Sequence, residues 1–589
     1  MAATKLKLVD VVVVGAGVAG TIVCKELAET GLKVVGLERG RMIDPQHDFA
    51  MPYVHDELKY ERHSDLTQNL SRETITFRNA MNETALPMRE MGSFKPGECV
   101  GGAGVHWGGT SFRFLPWDFE TRSRTIERYG KNRIPEDCTS QDWGITYGEL
   151  EPYYDQFEHL YGVGGKAGNL NGEIQPGGNP FEGPRSREYP NPPAEPTFVG
   201  SLFAKAAESL GYKPFPGPTA AMTRPYINPY RLVLGQCAQG GFCTSHGCAM
   251  GAKASPLTTV LPALLKHENF ELRPFSNVIK VNLDSERKRA KSITYVDARG
   301  REVEQPAELV ILTSYTFNNV RLMLLSGIGK PYDPVSNRGV VGRNYSYQTG
   351  GNVKLFFEDK VFNRFMGHGG IGTVIDEFNG DNFDHAGLGF MGGAHVGVAV
   401  NSGPGKPLCS HPVPPGTPRW GSGWKKAVAQ YYDRTLEIRV SGGCQSYRTN
   451  YLDLDPTYRD AHGLPLIRMT FDWHENEKKI SAYVTNKAGE IGQGMGASKM
   501  SVSGVTGKYS IVPYQRTHNI GGAVMGADPA TSAANKYLQS WDVPNVFVIG
   551  GSAFPQNGAH GPTPTLGALA CWAADSIKDH YLRRPGPLV

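Results

Sequence analysis

The stretch Val11-Val-Val-Val-Gly-Ala-Gly-Val-Ala-Gly20, close to the N-terminus, decides the fold. Its run of valines predicts a strand that is buried on both faces, and the residues from the glycines to about Thr30 predict a helix. Between them, Gly15 makes a tight turn, Gly17 lets the backbone approach a pyrophosphate, and Gly20 allows close packing of the helix on the strand. The stretch therefore predicts the dinucleotide-binding unit of an α/β protein.

The next segment strengthens this prediction. A second strand, from Leu32 to Leu37, ends in Glu38. An acidic residue at the end of this strand binds the ribose hydroxyls of a dinucleotide. The pattern does not distinguish FAD from NAD. Its place at the extreme N-terminus of a very long chain favours FAD, and an NAD-dependent dehydrogenase is the alternative.

Composition excludes several other classes of protein. The 589 residues include 61 Lys and Arg against 57 Asp and Glu, without a basic stripe, so no nucleic acid partner is expected. No apolar run reaches the roughly 18 residues that span a membrane, so we predict no transmembrane segment. The 72 Gly and 41 Pro are spread without a period, which indicates a loop-rich globular protein. The N-terminal apolar run leads directly into Gly15, so it predicts a strand and no export signal.

Three further segments are informative: Gly101–Gly109, Ser326–Gly329 and the stretch that begins at His518. They resemble signatures of the glucose–methanol–choline (GMC) oxidoreductase family. Gly101-Gly-Ala-Gly-Val-His-Trp-Gly-Gly109 resembles the family's glycine-rich segment beside the flavin. Ser326-Gly-Ile-Gly329, after a helix-like run, resembles its second signature. His518-Asn-Ile-Gly-Gly-Ala-Val-Met-Gly526, with Asn545–Ala553 and the closing helix, resembles its C-terminal catalytic segment. This resemblance implies an FAD-dependent enzyme that oxidises an alcohol.

The resemblance also implies the architecture, an α/β fold with a Rossmann-like FAD-binding domain and a second domain built on a mainly antiparallel sheet. We predict a discontinuous FAD domain formed by residues 1–45, 90–130, 230–345 and 500–589. The substrate-binding domain and surface excursions would then comprise residues 46–89, 131–229 and 346–499. The residues expected to contact FAD are Gly15, Gly17, Gly20, Glu38, Gly101, Gly102, Gly104, His106, Trp107, Gly550, Gly551 and Ser552.

Two histidines carry the chemistry that the resemblance implies. His518 occupies the family's position for the base that takes the hydroxyl proton, a role that suits imidazole because its ordinary pKa lies near the working pH. Relatives place an Asn or a second His directly before Pro-Thr, but here that slot is Gly561. We expect His560 to reach into the site instead, with Asn557 or a water as alternatives.

His106 has a second possible role in the same resemblance. In several relatives a histidine before tryptophan lies beside the isoalloxazine ring, and in some it is the covalent attachment point. Covalent FAD at His106 is therefore one expectation, and a histidine packed near the ring without a bond is the other.

Within the family, several segments resemble the flavoprotein subunits of bacterial membrane-bound gluconate 2-dehydrogenases. They include Leu37-Glu-Arg-Gly40, Asn450–Thr457, Tyr537–Asp542 and Pro585–Val589. The implied reaction is oxidation of D-gluconate to 2-keto-D-gluconate. Dehydrogenases for 2-ketogluconate, sorbitol, fructose or a glycoside, and an oxygen-using oxidase, are the alternatives among enzymes. A flavin-binding subunit whose catalytic site has decayed is the alternative of another class, supported only by Gly561.

Cys237, Cys243 and Cys248 lie within twelve residues of one another, whereas the other six cysteines are scattered. This cluster resembles the three-cysteine segment of fructose and glucose dehydrogenase flavoprotein subunits, which holds a [3Fe–4S] cluster, although the spacings differ. Three thiolates suit a cubane that lacks one iron. With His246, a Cys3His zinc site is an alternative, as are a disulfide and free thiols.

An iron–sulfur cluster would carry single electrons to an external acceptor, which bears on the partners. Relatives form a complex with a multihaem cytochrome c subunit and a small subunit that carries a twin-arginine export signal. The resemblance implies the same two partners here. It also implies a location at the periplasmic face of the bacterial inner membrane, reached by co-export without a signal peptide in this chain.

Overall fold

The computed structural model describes residues 3–49, 66–71, 73–89, 96–241, 243–363, 366–398, 412–512 and 517–588. Val589 of the terminal segment and parts of the predicted domain segments lie outside these residues. Among the described residues, no helix is both long and apolar enough to cross a membrane.

The N-terminal valine run forms the centre of an eight-stranded sheet, called here the large sheet. The strand Val9–Val14 lies between Val34–Leu37 and Glu302–Leu312 and pairs in parallel with both. Its last four residues are buried, as the uninterrupted β-branched pattern predicts. The other strands of this sheet are Thr4–Lys5, Phe270–Arg273, Asn277–Leu283, Ala290–Val296 and Val546–Val548.

Helices that cover the large sheet are packed closely enough to require glycine. All residues of the helix Val18–Ala28 are buried, and it contacts the closing helix Thr563–Ser576. That helix contacts Tyr147–Tyr161 in turn, and a Cβ atom on Gly567 would lie 2.2 Å from the ring of Phe157. The predicted N-terminal and C-terminal helices are therefore both present, and they pack on each other.

A second sheet, called here the antiparallel sheet, has six strands that all pair in antiparallel. The helix Glu475–Gly494 packs on it through the apolar stripe Ile480, Val484, Ala488 and Ile491. This confirms the predicted α/β fold with a mainly antiparallel second sheet. In spatial order the strands are Lys499–Gly504, Thr349–Phe356, Thr435–Gly442, Ala394–Val398, Thr373–Ile375 and Phe215–Pro216.

The remaining elements form a third sheet, two hairpins and several helices. A four-stranded sheet joins Tyr451–Arg459, Pro465–Thr470, Thr76–Arg78 and Leu86–Pro87. Two small hairpins pair Asn169–Leu170 with Glu173–Ile174 and Tyr226–Ile227 with Val233–Leu234. The other helices are Pro45–Asp48, Pro116–Phe119, Thr121–Tyr129, Phe198–Ser209, Pro256–Thr259, Leu261–Leu264, Thr316–Ser326 and Gly421–Tyr431. Short helical turns cover Gly102–Gly104, Lys131–Arg133, Gly551–Ala553 and Ile577–Tyr581.

The carboxyl ends of the parallel strands converge, which positions the site. Gly15, Glu38, Thr313 and Gly550 follow four of these strands, and all four residues line one cavity. Ligands of open α/β sheets bind at this edge because the loops there are free to diverge. The division of the chain into two domains at the boundaries given above stays a prediction.

Candidate active site

One cavity of about 1020 Å³ extends from the ends of the parallel strands to the antiparallel sheet. The predicted site residues that line it are Gly15, Gly17, Glu38, Gly102, Gly104, His106, Trp107, His518, Gly550 and Gly551. The predicted site residues outside its lining are Gly20, Gly101, Ser552, Asn557, His560, Cys237, Cys243 and Cys248. The structure thus brings together the flavin-side residues and His518, but not the second catalytic histidine or the cysteines.

The three glycines of the N-terminal loop differ in how much room a side chain would have. Gly15 has φ +99°, and a Cβ atom on it would lie 2.9 Å from the carbonyl oxygen of Thr313. A Cβ atom on Gly20 would lie 1.9 Å from the carbonyl oxygen of Gly15, so only glycine permits the first turn of the helix Val18–Ala28 to pack this closely on the loop. A Cβ atom on Gly17 would meet only the Cα atom of Gly102, at 3.9 Å. Gly17 therefore presents bare backbone to the cavity.

Two glycine-rich loops form a cradle that fits a dinucleotide. Gly102 has φ +54°, and a Cβ atom on it would lie 3.2 Å from the Cα atom of Gly17. The space between the loops thus contains backbone only, at the N-terminus of the helix Val18–Ala28. Backbone N–H groups and the helix dipole favour a pyrophosphate there. The residues present therefore fit FAD: Gly15, Gly17 and Gly102 would hold the phosphates, and Glu38 would bind the ribose.

Glu38 also stabilises the loop that it adjoins. Its Oε2 accepts a hydrogen bond from the Ala16 N–H at 2.9 Å, and its Oε1 accepts one from Gly40 at 2.8 Å. Burial raises the pKa of the carboxyl group, and these two backbone donors act in the opposite direction. Each oxygen retains a second lone pair for a ribose hydroxyl.

His106 and Trp107 are held at the cavity by contacts with the segment that carries the cysteines. The carbonyl oxygen of His106 accepts a hydrogen bond from the Ser245 N–H at 2.8 Å. Trp107 donates its indole N–H to the carbonyl of Ala254, also at 2.8 Å. The ring of His106 is buried at the cavity wall. A covalent bond between His106 and FAD stays a prediction.

His518 lies in the cavity wall opposite an empty side-chain position. Its Nδ1 is 2.6 Å from Oε1 of Gln348. A Cβ atom on Gly561 would lie 3.6 Å from Cε1 and 3.9 Å from Nε2 of His518. The slot before Pro-Thr therefore does face the histidine, and the glycine leaves space beside Nε2.

His560 points away from this space. Its Nδ1 donates to the carbonyl of Arg113 at 2.8 Å, its Nε2 lies 3.3 Å from Oδ1 of Asp376, and its ring stacks on Phe112. Burial opposes a charge on this ring, but Asp376, together with Asp118 and the carbonyl of Arg113, outweighs it and raises the pKa of His560. This geometry argues against the expectation that His560 reaches the substrate.

Asn557 is also directed away from the cavity. Its side-chain amide donates to the backbone carbonyl of His518 at 3.0 Å, and the Cys444 N–H donates to the Asn557 carbonyl. These contacts give Asn557 a role in holding the backbone of the histidine. They do not bring it to the substrate.

Three residues at the cavity were missed by sequence reasoning: Gln348, His395 and Arg439. Each lies on or next to a strand of the antiparallel sheet, far in the chain from the family's signatures. No local motif marks them, because strands of a half-buried sheet vary in the residues that they direct into a pocket. Only the pairing of the strands brings them to the cavity that His518 also lines.

The cysteine segment packs against the flavin-side segment. A Cβ atom on Gly369 would lie 2.7 Å from the carbonyl oxygen of Gly108 and 3.4 Å from Sγ of Cys243. Sγ of Cys237 accepts a hydrogen bond from the Gln239 N–H at 3.4 Å, and the backbone of Gly369 lowers the pKa of the same thiol against a larger rise caused by burial. Cys237 and Cys243 thus both adjoin Gly369.

Lys253 connects the cysteine segment to Trp107 through hydrogen bonds to backbone carbonyl groups. Its buried ammonium group donates to the carbonyl oxygens of Trp107, Cys243 and His246, each at 2.7 Å. Burial lowers the pKa of Lys253, and Cys243 and Cys248 act against this. The three donors of the ammonium group are thus each paired with a backbone carbonyl oxygen of this region.

The alternatives for the cysteines differ in how the structure supports them. Among the described residues, no three His, Cys, Asp or Glu side chains are arranged to hold a single metal ion, which argues against the Cys3His zinc site. No disulfide joins the cysteines in the part of the chain that the structure describes. A cluster differs from a single ion, because inorganic sulfide and iron separate its cysteine ligands.

Comparison with known proteins identifies the family. GMC oxidoreductase family models match residues 193–349 and 446–570. The chain is 48% identical to the gluconate 2-dehydrogenase flavoprotein of Pantoea cypripedii, over 100% of this chain and 96% of that protein. It is 24% identical to the fructose dehydrogenase large subunit of Gluconobacter japonicus, over 96% of this chain and 97% of that protein.

Solved structures share the fold at low sequence identity. A variant of the formate oxidase of Aspergillus oryzae RIB40 matches with a TM-score of 0.60 and 15% identity, over 99% of this chain and 100% of that chain. The pyridoxine 4-oxidase of Mesorbium loti matches with a TM-score of 0.57 and 15% identity, over 97% and 99%. With the glycine cradle and the cavity, these findings show that the chain is an FAD-dependent oxidoreductase of the GMC family.

Proposed function

We propose that this protein oxidises D-gluconate at C2 to 2-keto-D-gluconate. The observation that carries the proposal is His518 in the wall of the cavity, in a chain 48% identical over its full length to a gluconate 2-dehydrogenase flavoprotein. The site offers a base, an adjoining dinucleotide cradle and space for a substrate. These are the three requirements of a flavin-linked alcohol oxidation.

His518 acts as the base in this proposal. Its Nε2 accepts the proton of the C2 hydroxyl while the C2–H bond breaks and the C2–O bond becomes a carbonyl. FAD, when bound, supplies the acceptor for the hydride. Gly561 leaves the space beside Nε2 open, and C2 of a 2-hydroxy acid carries a carboxylate that needs room next to the reacting hydroxyl. The missing Asn is thus an adaptation to the substrate in this proposal.

Arg439 supplies positive charge for an anionic substrate. Four cations line the cavity among the described residues: Arg39, Arg321, Lys508 and Arg439. The first two bind Glu73 at 3.0 Å, and Lys508 binds Glu83 at 2.7 Å. Arg439 lies on the antiparallel sheet with Glu437 at 3.3 Å, a longer contact. It is therefore the cation whose charge is least neutralised on the substrate side.

We further propose that Cys237, Cys243 and Cys248 hold a [3Fe–4S] cluster. The support is the donor set, three thiols at a segment that also touches the cavity through Thr244, and the buried cation Lys253 beneath them. Such a cluster, when bound, would carry single electrons out of the enzyme. The hydrogen bond from Ser245 to His106 and the contact of Lys253 with Trp107 connect it to the flavin side.

The exit of electrons implies partners, which are part of the proposal. Several residues of the cysteine segment are exposed at the surface, among them Gln239, Gly240 and Met250. A multihaem cytochrome c subunit could receive electrons there, and a small subunit with a twin-arginine signal would carry the folded protein to the periplasmic face of the inner membrane. Similarity to a gluconate 2-dehydrogenase flavoprotein supports this assembly.

Anaerobic titration of the purified protein with D-gluconate tests the substrate. Bleaching of the flavin absorbance at stoichiometric substrate is expected. No bleaching with intact flavin rejects gluconate, and the same assay with 2-ketogluconate, sorbitol, fructose and glycosides then separates another substrate from a decayed site. Under air, a peroxide yield equal to the substrate consumed would instead identify an oxidase.

Iron and acid-labile sulfide analysis tests the cluster. Three irons per FAD are expected in the wild-type protein, and Cys243→Ser should lose them while the substrate still reduces the flavin. Transfer to a one-electron acceptor such as cytochrome c should fall in the same variant. Cys571→Ser, a buried cysteine in the closing helix, is the matched control. Wild-type protein without iron would reject the cluster.

A further inference from the structure

Gln348 adjoins His518, and the two ends of its side-chain amide contact groups of opposite hydrogen-bonding character. It is buried and precedes the strand Thr349–Phe356 of the antiparallel sheet. Its Nε2 lies 2.8, 3.1 and 2.8 Å from the backbone carbonyl oxygens of residues 558–560 in turn. Its Oε1 lies 2.6 Å from Nδ1 of His518.

The orientation of this amide follows from its partners. Carbonyl oxygens only accept hydrogen bonds, so the atom that faces the three carbonyls has to be the amide nitrogen. Turning the amide over would place Oε1 against three oxygens in a buried position with no donor, which is unfavourable. Oε1 of Gln348 therefore faces His518, and a hydrogen bond between them requires the hydrogen to be on Nδ1.

We propose that Gln348 is the positioning residue of the active site: it holds neutral His518 as the Nδ1-protonated tautomer and so makes Nε2 the proton acceptor. This inference rests on the proposed role of His518 as the base. Nε2 is the nitrogen on the side of Gly561, which lines the cavity. The other tautomer would direct a hydrogen, not a lone pair, at the substrate hydroxyl.

A neutral acceptor is the appropriate partner for a base. A carboxylate in the place of the amide would stabilise the imidazolium form, so less neutral base would be present at a given pH. The amide of Gln348 accepts the same hydrogen bond without adding charge. It also donates to the three carbonyls, which a carboxylate cannot do.

His560 then has a structural part in the same arrangement. The carbonyls that orient Gln348 belong to residues 558–560, and the ring of His560 anchors this loop to Arg113 and Asp376. The loop is thereby held against Gln348 from behind. The sequence predicted that His560 contacts the substrate. In the structure His560 instead belongs to the loop whose backbone carbonyls contact Gln348, and Gln348 in turn contacts His518.

The experiment compares Gln348→Met, Gln348→Glu and wild type by anaerobic rapid-mixing measurement of flavin reduction across pH. Met has nearly the same volume as Gln but cannot accept from Nδ1, so reduction should slow roughly 10-fold to 100-fold, as for other residues that orient a functional histidine. Glu keeps the acceptor but adds charge, so the rise of the rate with pH should move upward by about one unit.

The other titratable groups on the elements that pack around His518 and Gln348 are the same in the wild type and in both variants. They are His560, Asp376 and Asp118 behind the loop, and His395, Glu437 and Arg439 on the antiparallel sheet. The matched control is Gln445→Met, an equally buried glutamine outside the cavity lining, which should leave the rate and pH profile unchanged. All rates are expressed per bound FAD, so loss of folded protein does not imitate the effect.

The outcomes separate this inference from the proposal on which it rests. An unchanged rate in Gln348→Met together with an unchanged pH profile in Gln348→Glu would overturn the positioning role. If His518→Ala also reduced its flavin at the wild-type rate, the base itself would be rejected. If His518→Ala were slow while both Gln348 variants behaved as wild type, only the inference about Gln348 would fail.

Discussion

The two histidines that meet at the loop of residues 558–561 differ in their partners. His518 lies in the cavity wall, and its Nδ1 meets the neutral amide of Gln348. His560 is 1% exposed, and its ring meets the carboxylate of Asp376 and stacks on Phe112. The two rings therefore have different partners, and in the proposed mechanism only His518, which faces a neutral amide, acts as the base.

The charges of His560 and Asp376 explain why His560 suits a structural role. Burial opposes ionisation of both groups, but each stabilises the charged form of the other. The pKa of His560 is raised, and the pKa of Asp376 is lowered to about 2. The contact therefore favours the ionised form of both groups. The protonated ring of His560 has no lone pair that could accept a proton from a substrate.

Removal of the base should give the largest effect on catalysis. His518→Ala is expected to slow flavin reduction by roughly 10²–10⁴-fold, the usual contribution of a general base, with FAD content unchanged. Rapid-mixing absorbance measurements with substrate in excess report this rate. His462→Ala, an exposed histidine outside the cavity lining, is the control. Equal rates for the two variants would remove the distinction between the histidines.

Asp376→Asn should affect stability more than chemistry. Removing one partner of a buried ion pair costs about 3–5 kcal/mol, because the other charge is left without compensation. The pKa of Asp376 is below its ordinary 3.8, so its stabilising contribution is present above that pH and is lost as the pH falls towards 2. The raised pKa of His560 means that its contribution is complete below its ordinary 6.5 and is lost at higher pH.

Thermal unfolding measured between these limits tests this prediction. The wild type should exceed Asp376→Asn most clearly between about pH 4 and 6, the window that the two pKa shifts define. Folded Asp376→Asn protein should still reduce its flavin within about tenfold of wild type, since Asp376 only supports the loop. A loss as large as that of His518→Ala, with full FAD content, would contradict the structural role.

Filling the space beside Nε2 of His518 should weaken substrate binding. Gly561→Asn restores the residue type found in relatives, but its side chain would occupy the space beside Nε2 of His518. The KM for gluconate should rise by about tenfold or more, since overpacking of a filled site costs roughly 1–3 kcal/mol. Gly561→Ala is the smaller control and should show an intermediate KM. A lower KM in Gly561→Asn would mean that the space does not serve the substrate.

Arg439→Met should give the smallest of these effects. The loss of one charge at the antiparallel sheet should raise the KM for gluconate about 5-fold to 10-fold and leave kcat unchanged, as expected for uniform binding. Oxidation of a neutral polyol, where measurable, should be unaffected. Lys508→Met, whose cation already binds Glu83, is the matched control. Equal KM values for wild type and Arg439→Met would exclude Arg439 from substrate binding.

The local sequence contained most of the information about the region that forms the dinucleotide cradle. The valine run, Gly15, Gly17 and Gly20 act through contacts within a few residues of one another or with one neighbouring strand. A rule about a turn, a strand and a helix is therefore sufficient to predict them. Glu38 lay where expected, although its bonds to the backbone of Ala16 and Gly40 were not foreseen.

The surroundings of His518 depend on contacts between residues that are far apart in the chain. His518 was found from its motif, but Gln348 lies 170 positions away and carries no motif. His560 was assigned to the substrate because it adjoins Gly561, and neighbours in a loop need not point the same way. Its ring is oriented away from the cavity by contacts with Asp376, Arg113 and Phe112. No sequence pattern near His560 predicts these contacts.

The sequence by itself therefore determined the class of fold and the dinucleotide loop, since each follows from short-range geometry with few solutions, and it predicted His518 as the base. Only the tertiary structure decided how the surroundings of the two histidines differ. That decision depends on which side chain faces each ring after the strand Thr349–Phe356, the loop of residues 558–561 and Asp376 have been packed together. Hydrogen-bond direction and charge act over a few ångströms, and folding sets those distances between residues that are far apart in the chain.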